Sequence, residues 1–243
     1  MKELVENDRV VGGLTPEASI KVSKFYKTFV KGKVLKTDAT TAELCKLTEN
    51  SFRDVNIAFA NELSLIAANS NIDVSNLIAI ANHHPRVNIL NPGIGVGGHC
   101  IAVDPWFIVA NDPDNTLLIQ TARKVNIAKT NWVTSQIITA ADSVRKEREK
   151  GTIACLGLSY KPDVDDLRES PALMIAINLI NKGYNIVAVE PNLQSHDQIK
   201  LVSLDEAIHC ADLTVVLVKH SQFIEEKNNM KLKAVSALDF CGI

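Results

Sequence analysis

From Asp38 to Asn69 apolar residues recur every three to four positions, with no glycine or proline interrupting them (DATTAELCKLTENSFRDVNIAFANELSLIAANS). This is the strongest helical signal in the chain, and at about 1.5 Å per residue such a helix exceeds about 40 Å in length. The same periodicity predicts a short helix over Val74–Ala81 and a second long one from Leu117 to Lys150, stopped by Gly151. Thr15-Pro16 and Asp104-Pro105 each read as an N-cap followed by the first helical residue. After Gly151 the pattern changes. TIACLGLSY, YNIVAVEP, DLTVVLV and KAVSALDF read as strands, and SPALMIAINLINKG and SLDEAIHCA between them read as helices. Alternation of this kind predicts a parallel, doubly wound sheet. The expected fold is therefore α/β, with an all-helical central domain over residues 37–150 and a Rossmann-like domain over 151–243. Residues 1–36 form a mixed leading segment.

Composition narrows the function. The 243 residues are 46% hydrophobic and carry a net charge of −2, so the chain buries a core and has no basic excess directed at nucleic acid or a membrane surface. No apolar run reaches the ~18–20 residues of a membrane span, and the charged start MKELVENDRV is no secretory signal. Five scattered cysteines without a CxxC read as reduced thiols of a cytoplasmic protein.

Candidate chemistry concentrates in NPGIGVGGHC, residues 91–100. Gly93, Gly95 and Gly98 spell G-x-G-x-x-G, but Pro92 precedes them and the next helix waits until Asp104. The strand–turn–helix context of a dinucleotide fingerprint is missing. Two readings remain open. In one, a ligand lies along the loop's main chain and Cys100 is a thiolate nucleophile favoured by amides and a helix start. In the other, a flexible loop ends on a buried thiol. His83, His84, His99 and Cys100 match no zinc spacing, so no metal is expected. On the long helix Lys46, Asn50 and Arg53 share one face, either as a solvated stripe or, given apolar Leu44, Leu47, Phe52 and Val55, as partly buried polar groups.

AELCKLTENSFRDVNIAFANELSLIA, HPRVNILNPGIGVGGHCIAVDPWF and GLSYKPDVDDLRESPA together resemble the UDP-glucose/GDP-mannose dehydrogenase family, over about Glu3 to Ser221. The resemblance implies NAD-dependent, two-step oxidation of a UDP-sugar C6 alcohol to the uronic acid through a cysteine thioester. HPRVNIL and GVGGHCIAVDPWF favour the acetamido-mannose branch. It implies Cys100 as nucleophile, Lys46 and Asn50 for the oxyanion and proton transfer, and Asp104 for water activation. Arg53, His84, Arg86, Gly98, Tyr160 and Lys161 are implied substrate contacts, with Arg86 reaching a neighbouring subunit's site. Arg168 is implied to contact the NAD pyrophosphate, and a homodimer is implied through the central helix.

Two departures stand out. The family opens with an NAD-binding domain carrying its own G-x-G-x-x-G, whereas MKELVENDRVVGG resembles only the end of the connection from that domain. Cys241 stands where a basic substrate contact is usual. The isolated chain is accordingly expected to be a fragment with little or no activity. The alternative from another class is a non-catalytic UDP-sugar-binding dimer module.

Overall fold

The computed structural model describes residues 2–144, 151–228 and 237–242. The expected helix residues 145–150 and the start of the last predicted strand, 233–236, lie outside them. By internal packing the chain divides into two compact units, residues 1–52 and 53–243. Helix α3, defined below, carries the point of division.

The first unit contains α1 (Lys2–Glu6), β1 (Arg9–Gly13), α2 (Pro16–Tyr26), β2 (Val34–Asp38) and the start of α3 (Ala39–Asn69). β1 and β2 pair in parallel, Arg9 opposite Val34 through Gly13 opposite Asp38, with α2 as the crossover. Thr15 caps α2 by accepting from the Ala18 amide at 3.2 Å, and Pro16 opens the helix as the sequence predicts. Ser19 then ties α2 to both strands, accepting from the Gly13 amide and donating to the Thr37 carbonyl, each at 2.9 Å. The strands themselves escape sequence reading. RVVGG and VLKTD bury only Val11, so neither carries the alternation that marks a half-buried strand. At the α3 start, Asp38 accepts from the hydroxyl and amide of Thr41, and these bonds hold its carboxyl below the usual range.

The second unit holds the rest of α3, then α4 (Val74–Ala81), α5 (Asp104–Asn111) and α6 (Leu117–Val144). Its α/β part comprises β3 (Thr152–Leu156), α7 (Pro171–Asn181), β4 (Asn185–Val189), β5 (Lys200–Leu201), α8 (Leu204–Cys210), β6 (Leu213–Val216), α9 (Ser221–Asn228) and β7 (Ala237–Asp239). α5 begins one residue earlier than Asp104-Pro105 suggests. Val103 occupies the cap position without a side-chain bond, and Asp104 is the first helical residue. α7 and α8 start on Ser170 and Ser203, the latter in a reciprocal capping box with Glu206.

All five strands of the larger sheet are parallel, in the order β5-β4-β3-β6-β7. Successive side chains alternate between its faces. Ile153, Cys155, Ile186, Ala188 and Val215 pack against Val133 and Ile137 of α6 and Ile175 and Leu179 of α7. Ala154, Leu156, Val187, Val189 and Val216 pack against Leu204 and Ala207 of α8 and Phe223 of α9. Burial on both faces is why these strands read as continuous apolar runs. The order reverses between β3 and β6, which places the ligand crevice of such a sheet at their C-terminal ends.

Candidate active site: a cysteine cleft at the sheet's switch point

The loop after α4 crosses in front of that crevice. It is pinned from behind by two helices. Asn61 of α3 accepts from the Gly93 amide at 2.8 Å, and Thr130 of α6 donates to the Ile94 carbonyl at 2.8 Å. Asn61 in turn donates to Asn126 at 2.9 Å, and Asn126 donates to Asp54 at 2.8 Å. The Arg123 guanidinium meets the same Asp54 oxygen at 2.7 Å, with both side chains buried. Burial pushes the Asp54 carboxyl up, against the pull of Arg123. An isolated charge here is costly, so Asp54 and Arg123 hold as a pair and the two asparagines carry that rigidity to the loop.

In front of the loop lies a cleft of about 350 Å³. Arg53, Gly98, Cys100, Tyr160 and Lys161 all line it, so three separated sequence motifs converge on one cavity. Contact between loop and sheet is close at Gly98, whose φ is +86°. A Cβ there would lie 2.7 Å from Tyr160 Cε2, so only glycine lets the loop pass the ring. The Gly98 amide donates to the Arg168 carbonyl at 3.0 Å. With the Gly93 amide held by Asn61, two of the loop's N–H groups serve the protein itself rather than a ligand. The Cys100 carbonyl accepts from the Val103 and Asp104 amides, which turns the chain into α5 directly behind the thiol.

A second cleft, of about 320 Å³, shares Gly95, Tyr160 and Lys161 with the first and opens at the ends of β3 and β6. Lys219 and Cys241 are among its lining residues. Burial pushes the Cys241 thiol up to about 12, so it is a neutral wall where a basic group was expected. Lys219, which sequence reading passed over, supplies a cation on the same wall and donates to the Gly242 carbonyl at 2.7 Å. On the opposite side of the β3 turn, the Leu158 and Ser159 amides donate to Glu190 at 2.7 and 3.0 Å. In a dinucleotide fold amides of this turn hold pyrophosphate. Here a carboxylate of the chain fills that slot.

The remaining candidates are distributed as follows. Lys46 and Asn50 fall in the first unit. Asn50 is buried, whereas the Lys46 side chain is 63% exposed and meets Glu49 at 3.4 Å, a surface pair of little strength. His84 accepts from the Arg86 amide at 3.3 Å in the turn after α4, and both are exposed. Neither these two nor Asp104 lines the two clefts. Arg168 is clamped by Asp166 through Nε and Nη2, the latter at 2.6 Å, yet its side chain stays 63% exposed. Those bonds hold the Asp166 carboxyl down at about 2. Sequence reading also missed Asn61, Asn126 and Thr130. A signal existed, since Arg123, Asn126, Lys129, Thr130 and Thr134 put polar side chains on the buried face of α6.

Comparison with known proteins identifies the family. Residues 40–128 match the model of the UDP-glucose/GDP-mannose dehydrogenase family, central domain, and residues 154–242 match that family's UDP binding domain. The UDP-N-acetyl-D-mannosamine dehydrogenase of Escherichia coli (strain K12) is 55% identical over 234 residues, covering 92% of this chain and 56% of the relative. An NDP-N-acetyl-D-galactosaminuronic acid dehydrogenase of Ralstonia solanacearum is 50% identical over 228 residues, covering 92% of this chain and 53% of the relative. The solved UDP-D-ManNAc dehydrogenase of Pyrococcus horikoshii superposes with a TM-score of 0.88 at 37% identity, covering 98% of this chain and 57% of that one. The chain thus spans a little over half the length of these relatives.

Proposed function

The chain belongs to the UDP-glucose/GDP-mannose dehydrogenase family, and on that premise we propose that it carries the thiol and UDP-sugar half of an NAD-dependent sugar 6-dehydrogenase. The proposed substrate is UDP-N-acetyl-D-mannosamine and the product its uronic acid. What supports the reading most is Cys100 in one cleft with Arg53, Gly98, Tyr160 and Lys161, because a thiol is wanted where an aldehyde must be held between two oxidations.

In this reading the nucleotide lies against Tyr160, Lys161 and Lys219, and the sugar runs along Gly98 towards Cys100. The C6 alcohol loses a hydride and a proton to give the aldehyde. The Cys100 sulfur adds to that carbon as a thiohemiacetal, a second hydride leaves to give the thioester, and water releases the carboxylate and the free thiol. Lys46 and Asn50 are assigned the oxyanion and proton transfer, and Asp104 the activation of water. NAD, when bound, accepts the hydrides. Among the residues described, Arg168 fits its anionic part, since the Asp166 clamp orients the guanidinium and leaves it exposed. His84 and Arg86 are assigned to sugar contacts, with Arg86 serving the neighbouring subunit of a homodimer. A monomeric mass in light scattering would count against that assembly.

The test is NADH formation from UDP-N-acetyl-D-mannosamine and NAD, by the chain alone and with the N-terminal half of a relative added. Little turnover alone, and about two NADH per uronate after complementation, are expected. In the complemented enzyme Cys100→Ser is expected to form no uronate. Uronate formed by that variant at the unchanged rate would refute the nucleophile.

A further inference from the structure

Behind the Tyr160–Lys161 wall lies a buried ionisable cluster that the reaction does not use. His220, fully buried after β6, places Nε2 at 3.2 Å from Glu190 Oε2 and 3.3 Å from Ser159 Oγ. Its Nδ1 accepts the Asp163 amide at 3.0 Å, which leaves Nε2 as the donor shared between Glu190 and Ser159. Ser159 Oγ donates onward to the Lys161 carbonyl at 2.8 Å. Glu190 Oε2 also receives the Leu158 and Ser159 amides, and Oε1 receives the Asn192 amide at 3.2 Å. Burial pushes the Glu190 carboxyl up, but bonds from His220 and from those amides outweigh it and hold the group below its usual range. The other charged group facing the ring among the described residues is Asp163, with Oδ1 at 3.6 Å from Nδ1. Ser221 fixes that carboxylate through its amide and hydroxyl, at 3.0 and 2.7 Å. The Asn192 side-chain amide lies 3.5 Å from Nδ1, and Phe223 meets the ring edge-on at 5.3 Å.

Every segment flanking Tyr160 and Lys161 is therefore tied to one imidazole, directly or through one side chain. We propose that His220, with Glu190, is a positioning residue that sets Tyr160 and Lys161 for the nucleotide. Without the ring the Asp163 amide loses its acceptor at Nδ1 and the Ser159 hydroxyl its partner at Nε2, so the 160–163 segment must shift. The proposal rests on the UDP-sugar reading above and names a support for the same site.

The experiment titrates the full chain and its variants with UDP-N-acetyl-D-mannosamine by calorimetry at neutral pH, and follows the amide NMR signals of Tyr160 and Lys161 without ligand. Ser159→Ala, which cuts only the link from the ring to the Lys161 carbonyl, is expected to weaken binding several-fold and to shift both amides. His220→Gln, which keeps a donor and an acceptor, is expected to keep the affinity of the unchanged chain, whereas His220→Leu is expected to lose about tenfold. Wild-type affinity in both Ser159→Ala and His220→Leu would overturn the proposal. Should the unchanged chain bind no UDP-sugar, the reading of the cleft fails instead. The positioning claim is then decided by the two amides, and unshifted amides in both Ser159→Ala and His220→Leu would overturn it.

Discussion

Gly98→Ala tests whether the glycine loop and Tyr160 form one wall of the cleft. The backbone at this position has φ +86°, where an L side chain costs about 1–2 kcal/mol. The new methyl would also lie 2.7 Å from Tyr160 Cε2 and 2.9 Å from Cδ2, an overlap the ring relieves only by moving. Overpacking of this kind costs about 1–3 kcal/mol. Together the two terms give about 2–5 kcal/mol, divided between lost stability and a displaced Tyr160. Gly93→Ala, in the same loop, is the control, since its Cβ would meet nothing nearer than the Gly95 carbonyl at 3.9 Å. That variant is expected to be neutral or more stable by about 0.4–1 kcal/mol. Urea denaturation gives the stability, and calorimetric titration with UDP-sugar gives the affinity. The Gly98 variant is expected to lose in both, and the Gly93 variant in neither. Equal stability and equal affinity in the two variants would refute the close approach of loop to ring.

Three further outcomes follow from buried groups. Asp54→Asn leaves the buried Arg123 charge without its partner, and urea denaturation should show a loss of about 3–5 kcal/mol; an unchanged midpoint would mean the pair is solvated. Burial lowers Lys129 from 10.5 to about 8, so between those values the unfolded chain binds more protons and stability rises with pH. Below about pH 8 the full cost is about 3 kcal/mol, and Lys129→Met should remove both cost and slope; a variant less stable at pH 7 with the slope intact would contradict this. Burial also pushes the Cys155 thiol up to about 12, as it does Cys241. Peptide mapping after brief alkylation of the folded chain at pH 8 should find Cys155 unmodified while exposed Cys210 reacts; equal labelling would contradict the burial of Cys155.

The long helices were legible because their burial follows a single period over many turns. α3 and α4 begin and end within a residue of the pattern, and α2 starts on the Thr15-Pro16 signal. The buried strands were legible as short β-branched runs between helix caps, down to their parallel alternation with helices. β1 and β2 were not, since pairing with each other and with Ser19 leaves most of their side chains exposed. At the site, the glycine loop announced an unusual backbone, but its partner Tyr160 lies some sixty residues on, and no local pattern joins them. Asn61, Asn126 and Thr130 were hidden for a related reason: Asn61 and Thr130 reach the loop's main chain across helices and Asn126 holds Asn61, so these roles exist only once the helices pack. From the local pattern alone the chemistry of Cys100 was one of two readings, and the nucleophile is what the family resemblance implies.

The central claim is that the Cys100 sulfur stands where it can take a sugar carbon, and a crystal structure of the chain with UDP-N-acetyl-D-mannosamine measures this directly. The account predicts the uridine diphosphate against Tyr160, Lys161 and Lys219, and C6 within about 3–3.5 Å of Sγ, the distance from which a bond can form. A sugar pointing out of the cleft, or a nucleotide bound in the slot that Glu190 fills, would contradict it.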